Sequence, residues 1–236
     1  MDDIEISRLL DGTSLGHGAH PSRAAGMCAM EFVSYIAGEP HSYDPACVSP
    51  LLTGFTIRLN DHMNESVRQR LKPFLPRLVG TNTGEERRRF EAMARTAVTV
   101  LVAPMLADQG ATGLAKALRR HAQAPLREIA GRLCRPERDA VGGRLRRFLS
   151  RDLGRAFELA VVASERRQYG FQPNWNWCGG ELGNAVSAVA RLGGNGGWAA
   201  ALQVLEAGIE AVLPDAAEPP ATAEATVDAG LLEALP

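Results

Sequence analysis

Between His17 and Cys47 stand His17, His20, Cys28, Glu31, His41, Asp44 and Cys47, a crowd of imidazole, thiol and carboxylate side chains in one short stretch. These are the groups that ligate divalent metals, attack carbonyls and move protons. Three readings of them stay open. In the first, Cys28 and Cys47 join His17, His20 or Glu31 around a divalent metal, zinc being the best suited to such a donor set. The His-x-x-His and Cys-x-x-Glu pairs are short enough to chelate, although neither matches a finger or metalloprotease pattern.

In the second reading Cys28 is the nucleophile of a hydrolase or transferase. Gly26-Met27-Cys28 puts the thiol at the start of a helix, where the dipole favours thiolate, and Glu31 and His41 are the acid–base partners. In the third the cluster is structural. The cysteines are then small buried hydrophobes, the histidines bond to turns, and Glu31 caps a helix or pairs with an arginine such as Arg58. Glu31 is the sole charged residue from Ala24 through Gly38. A buried carboxylate needs a cation, hydrogen bonds, a metal or a proton, and each of these draws attention to it.

The elements that must position this cluster read as helices. Apolar residues recur at three- and four-residue spacing, and two-residue alternation is scarce. The pattern predicts a helix from Ala24 to Ala37 ended by Gly38, with Cys28, Glu31 and Tyr35 sharing a face. Ser49-Pro50 starts a second, which runs to about His62, and Asn64 caps a short third that Pro73 and Pro76 interrupt. Thr83-Gly84-Glu85-Glu86 heads a long helix through Val102, with Pro104 as a kink or stop. Arginine-rich helices follow from Ala111 to Arg167. Tyr169 to Gly180 reads as a loop in which Trp175, Trp177 and Cys178 line a ligand pocket, and two last helices flank Gly193 to Gly197.

The chain has 236 residues, 45% of them hydrophobic, and no apolar run approaches the roughly 20 residues of a membrane span, so no membrane is expected. An acidic start, Met1-Asp2-Asp3, is unlike a secretory leader, and four widely spaced cysteines do not suggest a disulfide scaffold; the expected location is cytoplasmic. Only Lys72 and Lys116 are lysines among 26 basic residues. The net charge of −1 conceals a strongly basic centre, residues 58–167, between acidic flanks. Such a centre suits nucleic acid or an acidic protein, with Arg144, Arg146 and Arg147 as binding candidates, or else simply faces its own acidic flanks and solvent through pairs such as Glu91 and Arg95. A homodimer is a further expectation.

The motifs Leu15-Gly16-His17-Gly18-Ala19-His20, Gly26-Met27-Cys28-Ala29-Met30-Glu31, Ala37-Gly38-Glu39, Pro45-Ala46-Cys47, Asn60-Asp61 and Pro76-Arg77-Leu78-Val79-Gly80-Thr81 occur in that order. In combination they resemble an uncharacterised family of actinobacterial and actinophage proteins, over about Leu15 to Thr81. Its members often carry Asp-His-Pro where this chain has Tyr43-Asp44-Pro45, so a family histidine is replaced by Asp44. The resemblance implies a shared N-terminal module and brings no activity with it.

The expectation is thus an all-α, single helical domain. Residues 1–81 pack on a bundle of residues 82–213, and a disordered acidic tail spans 214–236. The functional expectation is a metal or polar-ligand site in the N-terminal module, as in an enzyme of specialised metabolism. The alternatives are a non-catalytic adaptor or regulator acting through the arginines, and a thiol-dependent hydrolase or transferase.

Overall fold

A computed structural model describes residues 3–134 and 173–211, with isolated positions between 151 and 158. The fold is all-α. Among the described residues the one extended pairing is a single parallel bridge between Leu15 and Met27.

Local signals explain several helix starts. The chain opens with α1, Asp3–Gly12, and a 3₁₀ turn at Arg23–Ala25 precedes α2, Ala29–Ile36. The helix expected from Ala24 therefore begins five residues later. Gly26, at φ 129°, and the extended Cys28 hold the chain out of helix, and Gly16 N–H donates to the Met27 carbonyl at 2.8 Å. Helix α3, Pro50–His62, starts as expected, with Ser49 Oγ accepting from Leu52 N–H and proline in the first turn. Asn64 caps the short α4, Glu65–Arg68, through Val67 N–H. A 3₁₀ turn at Gln69–Phe74 carries Pro73, and α5 is Leu75–Leu78.

Pro104 neither stops nor ends the long helix. α6, Glu86–Thr96, widens into a π-turn at Ala97–Val102 and continues as α7, Ala103–Asp108. Proline has no N–H for the Val100 carbonyl and crowds it sterically, and one wide turn absorbs both problems while apolar packing holds the axis. Against the expectation that no such run exists, Glu86–Asp108 has the length and apolar composition to cross a bilayer; 56% of its most apolar stretch is buried inside this protein.

Helices α8, Thr112–Arg120, and α9, Leu126–Cys134, follow. Then come α10, Trp175–Leu192, and α11, Gly194–Glu210. The expected loop reaching Gly180 is corrected here, since Trp175 to Gly180 are the first turns of α10, capped by Asn174 Oδ1 accepting from Trp177 N–H at 3.0 Å. The glycine run at 193–197 is likewise a tight corner. Gly194 takes φ 55°, and Asn195 to Gly197 already belong to α11. The segments holding Arg144, Arg146 and Arg147 and the acidic tail lie outside the described residues.

One continuous core runs from Leu15 to Ile209, with Phe32, Phe55 and Phe90 fully buried in it. Its tightest joint is the crossing of α3 and α10. A Cβ on Gly54 would overlap the Asn176 carbonyl oxygen, and one on Gly179 would overlap that of Leu51. The two backbones touch because neither glycine has a side chain. His62 Nε2 adds a 3.1 Å contact to Asn184 Oδ1.

A carboxylate-centred loop and an adjoining cleft as the candidate functional site

Glu31 is 1% exposed and organises the loop that precedes it. Its Oε1 accepts from His20 N–H at 2.6 Å, and its Oε2 accepts from Cys28 N–H at 2.8 Å. The Nδ1 of His20 stands 2.8 Å from Oε2, and His41 Nε2 lies 3.6 Å from Oε1. Burial pushes the Glu31 carboxyl up, but the His20 and Cys28 amides and the His20 ring together outweigh it and hold the group below its ordinary range. An ionised carboxylate only accepts, so the proton of His20 belongs on Nδ1. His41 Nε2 sits 2.9 Å from the His20 carbonyl, which fixes its proton there and leaves its buried Nδ1 with no partner among the described residues.

Glycines make room for this arrangement. The His20 ring lies against Gly16 and Gly26, where an added Cβ would come within 2.5 and 2.8 Å of ring atoms. Asn60 and Asp61 on α3 complete the cradle. Asn60 Nδ2 donates to the Gly16 carbonyl at 3.0 Å, and Asp61 Oδ1 accepts from Gly18 N–H at 3.1 Å. The buried Arg68 donates to the Asn60, Leu15 and Met63 carbonyls. Gly16, Gly18, His20, Gly26, Cys28 and Glu31 of the Leu15-to-Glu31 pattern thus each have a structural reason.

The expected partner of Glu31, Arg58, is elsewhere, its side chain lying against Gly180 and Gly183. Tyr35, one turn beyond Glu31 on α2, receives the Arg23 guanidinium 4.5 Å from its ring centre. The Cys28 thiol, expected to be activated, is pushed up to about 12, chiefly by burial and further by Glu31. Such a thiol stays protonated at neutral pH, which removes the basis for a thiolate nucleophile there. The proposed metal donors divide as well. His20, Glu31 and Cys28 come together, whereas His17 is exposed and Cys47 is engaged with Glu39, whose carboxylate accepts Cys47 N–H at 2.8 Å. Burial and Glu39 raise the Cys47 thiol. Among the described residues no group of three or more His, Cys, Asp or Glu is placed to hold a metal ion, and Cys28, Cys47 and Cys178 are free thiols.

Beside the Glu31 centre lie two adjoining pockets, an inner chamber against the Glu31 loop and an outer one toward α10, which share Tyr43 and Ile57. The inner chamber, about 170 Å³, is walled by Ala19, Cys28, Met30, Asn60 and Asp61. The outer, about 490 Å³, lies between the 43–44 turn, α3 and the first turns of α10, and receives Asp44, Arg58, Asn176, Trp177 and Glu181. Tyr43 is 57% and Trp177 44% exposed. Asp44, Arg58 and Glu181 form no ion pair among the described residues. Trp177 thus lines a cavity, as read from sequence, while Trp175 packs against the core. Arg58 and Glu181 were missed because only the α3–α10 crossing brings them to one cavity. The trace in the sequence is the set of helical glycines, Gly54, Gly179 and Gly183, that permits the crossing.

No family model, curated protein or solved structure matches this chain.

Proposed function

We propose that this protein binds a small polar molecule in the two-chambered cleft, with the loop hung on Glu31 forming its inner wall. The observation that carries this reading is that Asp44, Arg58 and Glu181, charges with no ion pair among the described residues, line one concavity with two exposed aromatic rings. Sites for small molecules combine an apolar floor with a few polar groups of this kind. The reading deepens the expected polar-ligand site. Glu31, His20 and His41 position the wall, and Cys28 contributes an apolar, protonated thiol.

Thermal unfolding of the full chain against a panel of amino acids, monosaccharides and nucleotides tests this. A ligand present at a hundred times its Kd stabilises the fold by about 2.7 kcal/mol, which is a readable rise in Tm. Arg58→Ala and Trp177→Ala are expected to abolish the rise. A panel with no Tm shift, or a shift that survives both substitutions, removes the reading.

A further inference from the structure

We infer that the ligand of this cleft is an α-amino-acid zwitterion with an apolar side chain, an inference that rests on the binding reading above. The two chambers ask for different chemistry. The inner one is lined largely by apolar atoms of Ala19, Cys28, Met30 and Ile57. Its volume of about 170 Å³ slightly exceeds the roughly 150 Å³ apolar cavity that takes up a benzene molecule. A phenyl or branched aliphatic group therefore fits it.

The outer chamber holds one cation and two anions that form no ion pair among the described residues, Arg58 against Asp44 and Glu181. A carboxylate suits the planar fork of Arg58. An ammonium suits Asp44 and Glu181, and Tyr43 and Trp177, which line the same chamber, carry rings of the kind that attract cations. A phosphate-bearing ligand would meet two carboxylates for one arginine and be repelled. A saccharide has no apolar end for the inner chamber, and a fatty acid has no cation for the outer one. The amino-acid zwitterion satisfies all three requirements at once.

Titration calorimetry of the full chain with four probes separates the parts: L-phenylalanine, 3-phenylpropanoate without the ammonium, phenethylamine without the carboxylate, and glycine without the side chain. L-Phenylalanine is expected to bind at least tenfold more tightly than each of the others. Arg58→Ala, at an exposed position, is expected to weaken phenylalanine tenfold or more and leave phenethylamine unchanged, and Glu181→Gln to weaken phenethylamine and leave 3-phenylpropanoate unchanged. Equal affinity for phenylalanine and either truncated probe overturns the inference. So does Arg58-dependent binding of a saccharide or nucleotide with none of phenylalanine, although the cleft reading then stands. If neither the panel nor the four probes bind, both fall.

Discussion

A buried carboxylate with no lysine or arginine beside it would ordinarily take up a proton. Glu31 keeps its charge because two backbone amides and an imidazole donate to it, which makes it the pin that fastens residues 16–28 to α2. Replacing it with alanine leaves two buried amides and a histidine without their acceptor. Glu31→Ala is expected to lower stability by about 3–5 kcal/mol, the usual cost of breaking a buried charged network, as read by urea unfolding at pH 7. The sign with pH follows from its lowered folded value. The contribution is complete above the ordinary glutamate value of 4.5 and is lost as pH falls below it through the folded value. Glu31→Gln should therefore flatten the acid side of the stability profile, and an unchanged acid limb would show that Glu31 is not the group responsible.

At the scale of the element, the cleft exists because α3 and α10 touch backbone to backbone. Gly54→Ala or Gly179→Ala must push the helices apart, since the atom met is a rigid carbonyl oxygen rather than a flexible side chain. Each is expected to cost about 1–3 kcal/mol or more through overpacking and to displace Trp177, read as a shift of tryptophan emission alongside the unfolding midpoint. Gly131→Ala is the matched contrast. It lies inside α9 with open space where the Cβ would go, so it should stabilise by roughly 0.5–1 kcal/mol. If Gly54→Ala were as harmless as Gly131→Ala, the close crossing would be wrong.

Across the whole molecule, the arginines that look alike in sequence do different work. Of Arg87-Arg88-Arg89, Arg87 is exposed and pairs with Glu91 at 3.2 Å. Arg89 is 1% exposed and donates to the Gly208, Ile209 and Thr81 carbonyls, which ties α6 to the end of α11 and to the turn after α5. Burial lowers its affinity for the proton, with Glu86 and Glu85 opposing. Arg95, expected to pair with Glu91, instead donates to the Ala122 and Ala124 carbonyls and holds the α8–α9 turn. Arg89→Ala should cost about 3–5 kcal/mol because three buried acceptors lose their donor. Arg77→Ala removes an exposed bridge to Glu206 and Glu210 and should cost about 1 kcal/mol or less, shrinking further in high salt. Denaturant unfolding of the two variants at low and high salt checks the contrast.

Local sequence is enough for the helical class, the starts of α3 and α4, and the isolation of Glu31 in an apolar run. Those features rest on local physics: apolar period, capping side chains and proline. What Glu31 binds, which arginine is buried, and that Trp175 to Gly180 is helix rather than loop were decided only by tertiary structure. Each depends on a neighbour distant in the chain. His20 reaches Glu31 by a loop folded back over glycines, Arg89 meets carbonyls more than a hundred residues away, and α10 is glycine-rich because α3 lies against it. Helix propensity alone reads those glycines as breakers, whereas the packing of two backbones uses them as the contact.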